Sequence, residues 1–68
     1  MINSEKIKDR MKNMGIMQKE VADVLGIKPP TVSQKINGVR PMDLDEAKAL
    51  AQMLEIQPEE FGLYFFAS

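Results

Sequence analysis

The sequence predicts an all-α fold of five short helices that form one domain over residues 1–68. Five separate segments carry apolar residues at helical spacing, and each segment is followed by residues that stop a helix. With 68 residues the chain is near the smallest size at which a core alone stabilises a fold. We therefore expect a helical, idealised domain or an oligomer.

The first predicted helix covers residues 4–13. Ser4 is its expected N-cap, because a hydroxyl oxygen accepts a hydrogen bond from an unpaired N–H of the first turn. The apolar residues from Ile7 to Met14 recur at i, i+4 and i+7, which predicts one buried stripe. Gly15 then ends the helix.

The second predicted helix covers residues 18–25. Val21, Val24 and Leu25 stand at i, i+3 and i+4, so we expect all three to face the core. Gly26 ends this helix, since a glycine after the last periodic residue readily adopts left-handed backbone.

The third predicted helix covers residues 29–37. Two prolines fit its first turn, where the N–H groups that proline lacks would have no partner in the helix. Val32 and Ile36 at i and i+4 give it an inward face, and Asn37-Gly38 stops it.

Two short helices joined by a tight turn with one glycine form a helix-turn-helix, predicted here over residues 18–37. Ala22 is small enough for the second helix to cross close over the first, and Ile27 can fill the angle between them. The alternative is an ordinary αα-corner in a small helical protein. The joint spacing of these residues favours the motif.

The fourth predicted helix covers residues 44–54, and the fifth covers residues 58–64. Asp43 and Glu46 have the spacing of a capping box. We interpret these acids as caps rather than metal ligands, because they complement the helix dipole and no Ca²⁺ loop pattern is present. The predicted buried stripe of the fourth helix is Leu44, Ala47, Leu50, Ala51 and Leu54. Phe61 is expected in the core.

Around these helices the sequence resembles the Cro/CI family of phage and bacterial regulators. The matching residues are Gly15-Ile16, Gln18, Val21-Ala22, Leu25-Gly26-Ile27, Thr31-Val32-Ser33-Gln34, Asn37-Gly38, Arg40-Pro41, Ala47, Leu50-Ala51, Leu54 and Pro58-Glu59-Glu60-Phe61. The resemblance implies a five-helix lambda-repressor-like domain that binds double-stranded DNA. At two N-caps, Met17 and Lys28 replace the family's usual Ser or Thr, so we expect each cap to be weaker by about 1 kcal/mol.

The outward face of the third helix carries the candidate base contacts. On a helical wheel with Val32 and Ile36 pointing inward, Gln34 points directly outward. Such a strip fits the major groove, where Gln pairs with adenine and Ser or Thr pairs with several bases. The candidates are Lys28, Pro30, Thr31, Ser33 and Gln34. The alternative is that each of them is a solvated residue on a surface helix.

The resemblance also implies contacts with DNA phosphates. Gln18 matches the family's Gln at the start of the first motif helix, whose dipole points at a phosphate. Asn37 and Arg40 stand where the family holds the other side of the groove, and Lys19 and Lys35 are further candidates. Contacts of this kind set register and affinity rather than sequence choice.

Charge is unevenly distributed, although the net charge is only −1. Residues 1–40 contain eight basic and four acidic residues, a net charge of +4, whereas residues 41–68 contain one basic and six acidic residues, a net charge of −5. The positive part holds the predicted motif, where a phosphate backbone would meet it. The alternative is that these charges only solvate the surface.

Other classes of function lack the residues that they need. The chain has no Cys and no His, and we find no nucleophile–base pair, phosphate loop or zinc ligand set, so we expect no enzyme, metal or cofactor. No apolar run approaches the ~20 residues of a membrane span, and no signal peptide is visible. We expect a cytoplasmic, nucleoid-associated protein without a small-molecule ligand.

We predict a sequence-specific DNA-binding regulator, namely a Cro-like repressor from a phage, a prophage or a bacterial chromosome that binds a palindromic operator as a homodimer. One alternative is a DNA-binding antitoxin whose tail covers a toxin. Another is a protein-interaction module with a vestigial helix-turn-helix.

Four large apolar residues follow Gly62 in a row, namely Leu63, Tyr64, Phe65 and Phe66. A small core cannot easily bury them all, and an exposed aromatic cluster usually marks an interface. Because one recognition helix reads only a half-site, we predict that these four residues form a two-fold dimer contact. The alternative is that they fold back over the chain's own core.

Overall fold

A computed structural model describes residues 1–66 as five α-helices and one short 3₁₀ helix, without a strand in that range. The elements are α1 Ser4–Met14, α2 Gln18–Leu25, α3 Pro29–Ile36, α4 Leu44–Met53, the 3₁₀ helix Pro58–Glu60 and α5 Phe61–Phe65. The predicted all-α fold of five helices is confirmed. The main difference is at the fifth element, which begins as a 3₁₀ turn and continues as α5. The predicted domain also includes Ala67 and Ser68, which lie outside the described residues.

The core is built from all five α-helices. α2 packs against α3 and α4, while α1 packs against α3 and α5. The buried apolar residues are Ile7, Met11, Val21, Ala22, Val32, Ile36, Ala47, Leu50, Ala51, Leu54, Tyr64 and Phe65. Ile27 packs against this core just after the turn between α2 and α3, as expected for the residue that fills their angle.

Two predictions of buried residues are wrong, because Val24 is 57% exposed and Leu44 is 54% exposed. In α2 the buried pair is Val21 and Ala22, so at 100° per residue Val24 lies on the far side of the helix from Ala22. Leu44 lies on the buried stripe of α4 but is the first residue of the helix, where it lines an open groove.

The N-cap of α1 is Asn3 and not Ser4, so that prediction is also wrong. The Asn3 side chain accepts a hydrogen bond from the backbone N–H of Lys6 at 3.1 Å. Ser4 is the first helical residue, and its hydroxyl instead donates to the backbone carbonyl of Ile36. A residue that was expected to begin α1 therefore joins α1 to the end of α3.

The capping box of α4 is confirmed. The Asp43 carboxylate accepts from the backbone N–H of Glu46 at 2.8 Å, and Glu46 Oε1 accepts from the backbone N–H of Asp43 at 3.0 Å. Both ends of the box are charged, and carboxylates at a helix N-terminus are stabilised by the helix dipole. The start of α4 is therefore firmly defined.

The starts of α2 and α3 lack a side-chain cap, as the departures from the family pattern predict. Met17 and Lys28 are the N-cap residues, and neither accepts a hydrogen bond through its side chain. At α2 only the return half of a capping box is present, in which Glu20 Oε1 accepts from the Met17 N–H at 3.0 Å. Both helices therefore depend more on packing than on their first turns.

The end of α4 is held by a cation from another helix. Glu55 follows α4 with φ of 54°, a left-handed conformation that is unusual for a residue with a side chain. Arg10 of α1 donates to the Leu54 carbonyl from Nε at 2.9 Å and to the Glu55 carbonyl from Nη2 at 3.4 Å. Cations suit the negative end of a helix dipole, so Arg10 stabilises this turn.

The tail is divided between core and surface. Tyr64 and Phe65 are buried, and the Tyr64 carbonyl accepts from the Asn3 N–H at 2.8 Å. For these two residues the predicted role in a dimer contact is corrected, because they close the chain's own core against α1. Leu63 and Phe66 remain 58% and 64% exposed.

Replacing Met17 with serine should raise the free energy of unfolding by about 1 kcal/mol, because the hydroxyl would supply the missing cap acceptor at α2. Urea denaturation measures this change, with Met17→Ala as the control that removes the thioether without adding an acceptor. Equal stability of the two variants would contradict the assignment of Met17 as an unfilled cap.

Replacing Arg10 with methionine should lower the free energy of unfolding by about 1–2 kcal/mol, because the last carbonyls of α4 would lose a charged donor. The same denaturation experiment applies, with Lys8→Met as the matched control on an exposed position of α1. If both variants lose the same stability, the bonds from Arg10 do not hold the α4 end.

Candidate nucleic-acid interface

The third helix presents a polar face to solvent, as the helical wheel predicts. Val32 and Ile36 are buried, whereas Gln34 is exposed on the opposite side. The exposed candidates for base contact are Lys28, Pro30 and Gln34, and the half-buried ones are Thr31 and Ser33. Within the described chain the Gln34 side chain makes no hydrogen bond, so both its amide donor and its acceptor face outward unused.

The N-terminal end of α3 needs no outside partner. Pro29 and Pro30 have no N–H to satisfy. The next two N–H groups, of Thr31 and Val32, donate to the Lys28 carbonyl at 2.9 and 3.1 Å. The first turn of α3 therefore offers a surface of proline rings and side chains rather than free backbone donors.

The C-terminal end of α3 is fully satisfied, since each of its last four carbonyl oxygens accepts a hydrogen bond. The donors are the Asn37 backbone and amide groups to Ser33, the Val39 and Arg40 N–H groups to Gln34, the Gly38 N–H to Lys35, and the Ser4 hydroxyl to Ile36. The last four carbonyls of a helix have no partner within the helix and need one from outside it. The C-terminal end of α3 is thereby fixed to the loop after it and to α1.

Asn37 has a structural role at this end. Its amide nitrogen donates to the Ser33 carbonyl at 2.9 Å and lies 3.3 Å from the Ser33 hydroxyl oxygen. A contact from this amide to a phosphate would require these bonds to break. The backbone N–H groups from Asn37 to Arg40 already donate to carbonyls of α3, so the main chain at these positions offers no unpaired donor either.

Lys35 does not face solvent as a free cation. Its Nζ lies 2.6 Å from Oε1 and 2.7 Å from Oε2 of Glu46, and the two side chains are only 16% and 14% exposed. The predicted contact of Lys35 with phosphate would require this pair to break, because its ammonium group already lies against a carboxylate on α4.

The start of α2 presents open backbone donors. With Met17 providing no side-chain cap, the N–H groups of Gln18 and Lys19 have no partner in the described part of the chain. The Gln18 side chain is half-buried, and Lys19 is exposed beside it. Unpaired N–H groups and the positive end of a helix dipole together favour an anion at this position.

Three cations of the motif region are exposed, namely Lys19 at the start of α2, Lys28 before α3 and Arg40 after α3. Among residues 1–66 no group of three acidic residues is placed to hold a metal ion. None of the helices in this range is long and apolar enough to cross a membrane. Within the described structure, the polar face of α3 with these three cations is the main candidate surface for a ligand.

Sequence reasoning missed the contacts that fix α3 from outside the motif. Lys35 and Glu46 are 11 residues apart, and Ser4 and Ile36 are 32 apart. A spacing of 11 joins two different helices here, so no rule for neighbours on one helix predicts the pair. The sequence held two weak signals of these contacts. Asn3 can cap α1, which leaves the Ser4 hydroxyl free for another partner, and a neutral Gln would serve in the capping box as well as Glu46 does, so the charge of Glu46 has no use there.

A family model described as helix-turn-helix matches residues 7–61, from the first part of α1 to the first residue of α5. No curated protein and no solved structure matches the chain.

Proposed function

This chain belongs to the XRE helix-turn-helix family of DNA-binding transcription regulators, and on that premise we propose that it is a repressor that recognises a palindromic operator as a homodimer. The proposal rests on one observation above all: the outward face of α3 is polar, its Gln34 side chain makes no hydrogen bond among the described residues, and the backbone groups at both ends of the helix are satisfied. Side chains on a fixed helix are suited to reading base edges, since a small error in position would lose their hydrogen bonds.

Base readout is proposed for the outward strip of α3. Gln34 can pair through its amide with N6 and N7 of adenine, which distinguishes adenine from the other bases in the major groove. Ser33 and Thr31 flank it with hydroxyl groups, and the Thr31 methyl and Pro30 ring suit the methyl group of thymine. Lys28 reaches guanine or a phosphate from the N-terminal side.

Phosphate contacts are proposed at both ends of the motif. Gln18 and Lys19 offer open N–H groups at the start of α2, where a phosphate also meets the helix dipole. Arg40 is exposed toward the other side of the groove, and Asn37 would contact a phosphate there by exchanging its amide bond to Ser33. These contacts orient α3, while its side chains supply the sequence preference.

The dimer contact is proposed at Leu63 and Phe66, the tail residues that remain exposed. Phe66 and the exposed Leu44 both line an open groove of about 350 Å³, so apolar surface continues from the tail to α4. Two-fold contact through this patch would join two recognition helices, and each would read one half-site about one DNA turn apart. A dimer bound to an operator would repress transcription by blocking RNA polymerase. The protein would act in the cytoplasm, where the bacterial DNA lies.

Selection of bound duplexes from a random pool tests the whole proposal. We expect a palindromic consensus with half-site centres about 10 base pairs apart. Failure to enrich any sequence would overturn specific recognition, and a single unrepeated half-site would overturn the dimeric form.

Replacing Gln34 with alanine should weaken binding to the selected duplex by about 1–3 kcal/mol, with little change on random DNA, because base contacts carry the sequence preference. Fluorescence anisotropy on both duplexes measures the difference.

Arg40→Ala provides the contrast to this variant. It should weaken binding to both duplexes and flatten the slope of log affinity against log salt by about one, as loss of a phosphate contact requires. If Gln34→Ala weakens both duplexes equally, Gln34 does not read a base.

Replacing Leu63 and Phe66 together with serine should weaken dimerisation at least about tenfold, since exposed apolar anchors dominate such contacts. Sedimentation velocity over a range of concentrations measures the change, and circular dichroism checks that the variant remains helical. Val24→Ser is the matched control, because Val24 is equally exposed but lies on α2. Unchanged association of the double variant would remove the tail from the interface.

A further inference from the structure

We infer that the ion pair between Lys35 and Glu46 sets the orientation of α3 for DNA, so that both are positioning residues and neither touches DNA. The inference rests on the proposed function, because it concerns how accurately α3 is presented to a base. Glu46 lies on α4, outside the helix-turn-helix, and so the accuracy of the motif depends on a residue beyond it.

The geometry of the pair is that of a fixed link. Both carboxylate oxygens of Glu46 lie within 2.7 Å of Lys35 Nζ. Oε1 also accepts from the Asp43 N–H at 3.0 Å, so the carboxylate is held from two directions. Because both side chains are largely shielded from water, their attraction is less screened than that of a surface pair.

The link spans a place where apolar packing is thin. α3 packs on α2 and α1, but between its C-terminal half and the start of α4 lies the open groove, which Lys35, Gly38, Leu44 and Ala47 help to line. The start of α3 lacks a side-chain cap that could fix its direction. The tilt of α3 toward α4 therefore depends on the ion pair, with the bond from Ser4 to Ile36 holding the other side.

Charge argues against a direct role for Lys35 on DNA. A move of its ammonium toward a phosphate would leave the Glu46 carboxylate shielded and unpaired, which is costly. With the pair intact, Lys35 displaces no counterion from DNA, so it should not contribute to the salt dependence of binding.

The test compares Lys35→Met, Glu46→Gln and the double variant, each at a temperature at which circular dichroism shows it fully folded. Glu46→Gln removes the charge but keeps an oxygen for the Asp43 N–H. The probes are the duplex selected from the random pool and a random-sequence duplex of the same length, each bound at several salt concentrations.

We expect each single variant to bind the selected duplex about tenfold more weakly and the random duplex less than about twofold more weakly, as displacement of base-reading groups requires. The double variant should lose no more than either single variant, because both remove the same link. For all three variants the slope of log affinity against log salt concentration should stay at the wild-type value. Lys19→Met is the matched control, and its slope should fall by about one.

A direct contact of Lys35 with phosphate would change the affinity of Glu46→Gln in the opposite direction. If Lys35 contacts phosphate, Glu46→Gln frees it, so binding becomes tighter and the slope steeper, and the inference is overturned. Folded variants that bind both duplexes like the wild type would also overturn it, because the pair would then serve stability alone. Should Lys35→Met not fold, Glu46→Gln decides the matter by itself. Wild-type protein that enriches no duplex would overturn the proposed function, and this inference with it.

Discussion

An eight-residue helix such as α3 has little stability of its own, because isolated helices shorter than about 12–15 residues are marginal in water. The helical form of α3 depends on burying Val32 and Ile36 against the core while the opposite face stays open. The other elements of the fold provide the surface on which Val32 and Ile36 are buried. α2 supplies much of the packing surface, and Gly26 and Ile27 set the turn. α4 packs against α2, and α1 packs on α3 itself.

The two ends of α3 are treated differently. Pro29 and Pro30 have no N–H groups at its start, and no side-chain cap covers this end. The carbonyls at its end are all bonded, one of them by Ser4 from α1, while Glu46 of α4 holds the adjacent Lys35. The end near the predicted bases is thus left open, and the end away from them carries the anchors. A helix anchored mainly at its C-terminal end can present the side chains of its outward face without using them in contacts within the domain.

The sequence predicted what local chemistry determines. Helix limits came within about a residue where a glycine or the Asp43–Glu46 box marks them. The prediction of burial was wrong at Val24 and Leu44. Periodicity shows which way a side chain points on its own helix, but not how far the neighbouring helices extend to cover it. Contacts between residues distant in sequence could not be predicted, because the partner of Lys35 is fixed by how α3 and α4 meet and not by sequence spacing. The tail was ambiguous for the same reason. Whether aromatic residues seal a core or join two copies depends on space left over by other helices, and here it differs between Phe65 and Phe66.

The pairing of Lys35 with Glu46 leaves fewer free cations for the proposed interaction with DNA. Three exposed cations remain near the motif, Lys19, Lys28 and Arg40. A single copy that neutralised three phosphates would have a salt slope of only roughly −3 and would hold random DNA weakly at physiological salt. The acidic second part of the chain adds no attraction. In the proposed complex, affinity for an operator would therefore come from base contacts and from joining two such domains, because linked binding multiplies weak half-sites into one stable complex. A domain with weak non-specific attraction gains selectivity in this way, since two copies side by side find both half-sites only at a palindrome.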